Sequence, residues 1–244
     1  VLLGSIDVSA TDDDQSLLNV RTIGILPYGI KGKGADRGIY YDIANSIGKE
    51  AGYRLTNQIS PYARIIFELK SGAADLSILF KYKQLEDHVI YIAPLPTLKT
   101  VVIGLQGTNI ESVKQLKFKT LGYLRGAKFS DVVDNDPDIK TFETAHFRQA
   151  IKMLINGRVD AIIGPIDPIH SAAINLGQDR SIFGQPLVVA ERTPWVQISK
   201  KSVDKFSVEK LRSAFNSLSE TGEITKIRNR YISGAVDLER GPTR

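Results

Sequence analysis

The chain has 244 residues, with 32 Lys+Arg against 27 Asp+Glu for a formal charge of +5, a hydrophobic fraction of 42% and no cysteine. That length suits one large domain or two small ones, and 24% charged residues without a low-complexity tract exclude disordered and fibrous classes. The missing cysteines remove disulfides, thiolate metal sites, cysteine nucleophiles and iron–sulfur clusters, and no apolar run approaches the roughly 18 residues of a membrane helix, so a soluble globule is predicted.

Residues 1–19 alternate small, polar and acidic types and read as an irregular tail. Val1-Leu2-Leu3 is too short, and lacks the basic flank, for a signal peptide. A β-rich run over 20–26 closes at Pro27, and Gly32-Lys33-Gly34 follows without the Ser/Thr or the spacing of a phosphate loop. Residues 39–51 carry Ile39, Ile43, Ile47 and Ala51 as a 3.6-residue stripe that Gly52 stops. A strand is predicted over 53–59, a helix from Pro61 to Gly72 and a buried strand over 76–80. Strands alternating with helices of this length imply βαβ units and a parallel sheet.

The same grammar restarts mid-chain. Strands are predicted over 120–124, 139–142 and 159–163, with helices from about 129 and over 145–155. Leu69-Lys70-Ser71-Gly72-Ala73-Ala74-Asp75-Leu76 is echoed by Leu154-Ile155-Asn156-Gly157-Arg158-Val159-Asp160-Ala161: helix end, glycine, short turn, Asp, strand. This internal echo predicts two similar α/β halves. Two extended segments, 93–105 and 185–199, are placed to carry the chain from one half to the other and back. A final helical stretch over 208–232 is interrupted at Thr221-Gly222-Glu223, and 237–244 read as a frayed tail. Basic and acidic residues interleave, and the only dense block is Asp12, Asp13 and Asp14, so no nucleic-acid partner is expected.

Five motifs in order resemble type 2 periplasmic solute-binding proteins, specifically the family-3 group that includes amino-acid-binding components of ABC importers. They are Gly24-Ile25-Leu26-Pro27-Tyr28, Gly38-Ile39-Tyr40-Tyr41-Asp42-Ile43, Leu69-x-x-Gly72-x-x-Asp75, Leu154-x-x-Gly157-x-x-Asp160-Ala161 and Gly222-Glu223-Ile224-x-x-Ile227-x-x-x-Tyr231. The resemblance spans roughly residues 20–233. It implies a two-lobe α/β fold, each lobe a mainly parallel sheet flanked by helices, joined by two hinge strands around a ligand cleft. Lobe one would comprise 1–97 plus 193–244, and lobe two 98–192. It also implies a mature periplasmic or extracytoplasmic monomer whose signal peptide has been removed. Such a protein captures a small polar, amino-acid-like or organic-acid-like ligand without cofactor or metal and delivers it to an ABC permease. A ligand touching both lobes favours the closed state by its differential affinity.

The family's two charge anchors are missing at their expected places. The lobe-one arginine would fall at Asp87-His88, and no arginine lies between Arg64 and Arg125; the lobe-two carboxylate would fall at Pro165, with Asp167 two residues on. A divergent member is therefore expected, with a standard α-amino acid held in the usual way disfavoured. The resemblance makes Tyr28 an aromatic shelf over the ligand, Tyr62 a cleft-lining residue and Phe80, Lys81 and Tyr82 a contact segment, Lys81 offering a positive charge. Arg125-Gly126-Ala127-Lys128 stands where the family has a turn at a helix N-terminus, whose N–H groups suit an anion; Arg125 offsets the hydroxyl lost at Ala127. His146 opens a helix and Asp167 could recruit a cation, each with a purely structural alternative. Asp42 reads as a helix-start carboxylate, Trp195 as packing, and His88, His146 and His170 share no metal-ligand spacing.

No His-x-x-x-His pair, Gly-x-Ser-x-Gly elbow or Walker loop is present, so no enzyme is predicted. Two rivals remain open: the ligand-sensing domain of a membrane receptor, and a cyclohexadienyl-dehydratase-like enzyme on this fold.

Overall fold

The computed structural model describes residues 16–232. The expectations for most of the N-terminal tail, for a leader and for the tail over 237–244 lie outside those residues. In chain order the elements are β1 (Leu18–Ile23), α1 (Ile39–Glu50), β2 (Leu55–Ser60), α2 (Tyr62–Ser71), β3 (Leu76–Phe80), β4 (Val89–Pro94) and β5 (Leu98–Ile103). Then come β6 (Thr120–Leu124), α3 (Asp131–Asp134), β7 (Lys140–Thr144), α4 (Phe147–Ile155), β8 (Ala161–Pro165) and α5 (Ile166–Ile174). The chain ends with β9 (Leu187–Arg192), β10 (Pro194–Ser199), α6 (Val208–Glu220) and α7 (Glu223–Ile232).

Two five-stranded mixed sheets form, in the orders β2-β1-β3-β10-β4 and β7-β6-β8-β5-β9. In each, the first three strands run parallel, as βαβ crossovers require, and the returning strand enters antiparallel. This is the two-lobe α/β fold that the internal echo implied. Each extended segment breaks where it crosses: β4 belongs to the first sheet and β5 to the second, β9 to the second and β10 to the first. The crossings run side by side, with the Leu95 N–H donating to the Pro194 carbonyl at 2.8 Å and the Thr97 and Thr193 hydroxyls 2.7 Å apart.

The apolar stripes bury as separate cores. α1, α6 and α7 cover one face of the first sheet through Ile43, Ile47, Leu211, Phe215 and Ile227, while Ile65, Ile66 and Leu69 of α2 cover the other. The second sheet has its own core around Val102, Leu121, Ile151 and Ile162. Ile25 packs against a core in each lobe.

The repeated Gly-x-x-Asp turn has one physical job in both halves. Gly72 and Gly157 take left-handed φ values of 80° and 65°, ending α2 and α4. The Asp75 carboxylate then accepts the Asn19 N–H at 2.7 Å while the Asp75 N–H donates to the Asn19 carbonyl at 2.8 Å. Asp160 and Thr120 repeat both bonds at 2.7 and 2.8 Å. Each Asp thus pins its strand to the parallel strand beside it, β3 to β1 and β8 to β6.

Two expectations need correction. The irregular tail is shorter than expected, because Leu18 and Asn19 already pair with Leu55 and Thr56 in β1. The helix expected from about 129 shrinks to the four residues of α3, since Pro137 disfavours helical geometry at Asp136. α5, for which the sequence gives no clear periodic signal, tolerates Pro165 and Pro168 because both fall at its cap and first turn, where a missing N–H costs no helical bond.

Candidate functional site

The loops at the carboxyl ends of the parallel strands meet between the lobes, where ligands bind in open α/β sheets. After β1 the chain turns at Pro27, and the Pro27 and Tyr28 carbonyls accept the Ile39 and Tyr40 N–H groups at 2.9 and 3.0 Å. Gly38 makes this approach possible: its φ is 137°, and a Cβ there would lie 2.5 Å from the Tyr28 carbonyl oxygen. The geometry stacks the Tyr28 ring on Tyr40 with centroids 4.2 Å apart and planes 11° from parallel. Tyr28 is 6% exposed, and burial, then Tyr40 and Asp167, push its hydroxyl well above the usual range. Among the described residues that hydroxyl makes no hydrogen bond of good geometry, and the Tyr40 hydroxyl is its polar neighbour.

Asp42 does not cap α1. Its carboxylate accepts the Tyr231 hydroxyl at 2.5 Å and faces Arg230 at 3.5 Å, so it ties α7 to the start of α1. Burial and then the Asp42 bond raise the Tyr231 hydroxyl to about 12.

The segment after β3 forms an aromatic wall. Tyr62 and Tyr82 meet edge to face at 4.9 Å, Phe80 and Tyr82 at 6.4 Å, and Gln84 donates to the Tyr62 hydroxyl at 3.3 Å. Burial raises Tyr62 and, more strongly, Tyr82. Lys81 turns toward the crossings, its ammonium 3.9 Å from the Trp195 ring centre and 4.5 Å from that of Tyr91.

The cation on this wall is Arg192, from the end of β9. Its guanidinium lies 4.8 Å over Phe80 and 5.1 Å over Tyr82, donating to the Lys128 carbonyl at 2.5 Å and the Lys81 carbonyl at 3.2 Å. One side chain thereby joins the turn of the second lobe to the wall of the first. A search for an arginine a dozen residues past Asp75 misses it, because the second crossing delivers it from more than a hundred residues away. Its adjacency to the crossing segment 193–194 was the available signal.

In the second lobe, Gly126 takes a φ of 72° and the Ala127 N–H closes the turn on the Leu124 carbonyl at 3.1 Å. The following amides are filled from within: Asp134 accepts the Phe129 and Ser130 N–H groups at 3.0 and 3.2 Å and also the Tyr123 hydroxyl. Arg125 is 73% exposed and pairs with Glu143 of β7 at 3.2 Å. His146 is exposed and caps α4, its Nδ1 accepting the Gln149 N–H at 3.1 Å. His170 packs on Phe183 and is held below the usual range by burial and then Arg180.

Asp167 opens α5 and faces Arg228 of α7 at 3.6 Å. Arg180 reaches the same helix, donating to the Ile232 carbonyl at 3.3 Å. The structure therefore brings Phe80, Tyr82, Tyr62 and Lys128 together around Arg192, and Tyr28 and Tyr40 near Asp167. Lys81, Arg125 and His146 direct their side chains to other partners. Among the described residues no group of three His, Asp or Glu is disposed to hold a metal. An open apolar depression along α2, lined by Ile66, Phe67 and His88, belongs wholly to the first lobe.

No family model matches the chain. An arginine-binding periplasmic protein of Mannheimia haemolytica is 24% identical over 216 residues, 83% of this chain and 84% of that protein. At this low identity the chain is similar to the periplasmic solute-binding proteins and shares their two-lobe fold. An ancestral arginine-binding protein bound to arginine superposes on this chain with a TM-score of 0.73 at 22% identity, covering 88% of this chain and 97% of the other. A histidine kinase sensor domain similar to periplasmic binding proteins superposes at 0.75 with 13% identity, covering 90% and 97%.

Proposed function

We propose that this protein is an extracytoplasmic, monomeric binding protein that captures a small amino-acid-like or organic-acid-like solute between its lobes and hands it to an ABC permease. The lobes of this reading are 1–97 with 193–244, and 98–192. The observation that carries it is the convergence of both lobes on one gap, with two crossings able to hinge it and Arg192 touching both sides. The arginine-binding relative supports an amino-acid-like solute. The walls of the site are Tyr28, Tyr62, Phe80 and Tyr82 from the first lobe, with the 125–128 turn and Asp167 from the second. Arg192 supplies the cation that the family's pattern has near position 87 and this chain lacks there. The role proposed is binding without turnover.

A thermal-shift screen of the common amino acids and small dicarboxylates tests this. At least one solute should raise the midpoint in a concentration-dependent way, and complete silence across both classes contradicts the reading. A sensing role is the second reading, favoured by the superposition on the kinase sensor domain. Transport of the bound solute by membranes carrying a matched permease separates the two.

A further inference from the structure

Arg192 lies where the second sheet hands the chain back to the first. Its backbone still pairs with Leu98 in the second sheet, and two residues on Pro194 already pairs with Phe80 in the first. Thr193 alone separates the two ladders, so the Arg192 side chain reaches back across the crossing that its own backbone makes. One N–H donates to the Lys81 carbonyl and another to the Lys128 carbonyl, while the guanidinium face covers Phe80 and Tyr82. Each lobe fixes its own acceptor. The Lys81 ammonium is seated on Trp195 and Tyr91, and the turn before Lys128 is closed by the Ala127 N–H on the Leu124 carbonyl. Two divergent carbonyls and a ring face suit a planar guanidinium; an ammonium has neither the fork nor the flat face. Two other arginines pass between the lobes on looser terms. Arg180 donates to the Ile232 carbonyl at 3.3 Å, and Arg228 faces Asp167 at 3.6 Å with 40% of its side chain exposed, so each contributes less.

We infer that Arg192 is an internal latch that holds the two lobes together by contacts of the chain itself, so that the closed form is the resting form and solute is not required to reach it. Any rotation of the first lobe about residue 193 that widens the gap pulls Phe80 and the Lys81 carbonyl away from a guanidinium whose backbone stays in the second sheet. The differential affinity of a solute then adds to an equilibrium already on the closed side. A partner that reads lobe closure meets the closed form with or without solute, so closure alone does not report occupancy. The latch goes beyond the solute-binding reading, and either can fail without the other.

The absence of cysteine lets two spin labels be placed at will on the full chain. Lys83→Cys and Asn135→Cys put one on an exposed position of each lobe, and the distance between them is measured by pulsed electron resonance with no solute added. The labelled parent should show one short distance. Arg192→Gln, which removes the charge and the fork, should add a longer distance and raise the open fraction at least about tenfold, the shift that loss of one charge-assisted hydrogen bond brings. Arg192→Lys keeps the charge without the fork and should open the lobes as well, to a smaller extent. Arg228→Gln should open them less than Arg192→Gln. Arg192 is only half-buried, so these substitutions leave both cores intact. A labelled parent that is mainly open, an Arg192→Gln distribution equal to the parent's, or a larger opening by Arg228→Gln overturns the latch. Any of these results leaves the solute-binding reading standing, whereas silence in the amino-acid and dicarboxylate screen removes that reading and not the latch.

Discussion

Asp75 and Asp160 make the same pair of bonds to the neighbouring parallel strand of their lobes, but in different surroundings. Asp75 is 4% exposed and also accepts the Ser202 hydroxyl at 2.6 Å, because the segment leading to α6 folds over it. Asp160 is exposed and has Thr120 alone. The first lobe also holds a buried Arg21–Glu68 pair at 2.5 Å, to which the exposed Arg64 adds a bond to Glu68 at 2.6 Å. The comparison teaches that one turn, used twice, carries a local geometry independent of burial, while its energetic weight depends on what covers it. The first lobe, wrapped by α6 and α7, puts its carboxylates at high stakes; the second leaves its copy to water.

The largest expected effect sharpens this contrast. Glu68→Ala strands the Arg21 guanidinium in the protein and should cost about 3–5 kcal/mol in urea unfolding, the range for breaking a buried pair from one side. Burial pushes the Glu68 carboxyl up, but hydrogen bonds from Arg64 and Arg21 outweigh it and hold the group below its usual 4.5. Its contribution is therefore complete above that value and lost as pH falls through the depressed one. Glu68→Gln should flatten that acid limb, and an unchanged pH profile would remove the cluster from the account.

Asp75→Ala should follow at about 3 kcal/mol, since it leaves the Asn19 N–H and the Ser202 hydroxyl unpaired in a buried place. Asp160→Ala should cost only about 1 kcal/mol, because water reaches its donor. Equal losses in the two variants would break the comparison. Smallest of all, Arg125→Ala removes an exposed pair and should change stability by at most about 0.5 kcal/mol by the same unfolding measurement.

Much of the architecture was legible because periodicity and punctuation agreed. β3 and β6 fall on the expected residues, Gly222 divides α6 from α7, and the echo around Asp75 and Asp160 marks a real duplicated turn. The charge layout of the gap was not legible. Arg192 is distant in sequence from Phe80 and Tyr82 and reaches them only through the second crossing. Asp134 occupies the amides that follow the 125–128 turn, because a tight loop folds it back on Phe129 and Ser130, and no periodic pattern encodes that. Arg228 reads as one more basic residue on a helix; its meaning appears only when α7 is seen against Asp167. Local rules predict elements, whereas cross-lobe pairs depend on how finished lobes meet.

The claim that a solute is gripped by both lobes is tested most directly by a crystal structure of the protein with the tightest solute from the screen. The account predicts density in the gap, in contact with Tyr28 or Tyr82 on one side and with Asp167 or the 125–128 turn on the other. A solute held by one lobe alone, or outside the gap along α2, would contradict it.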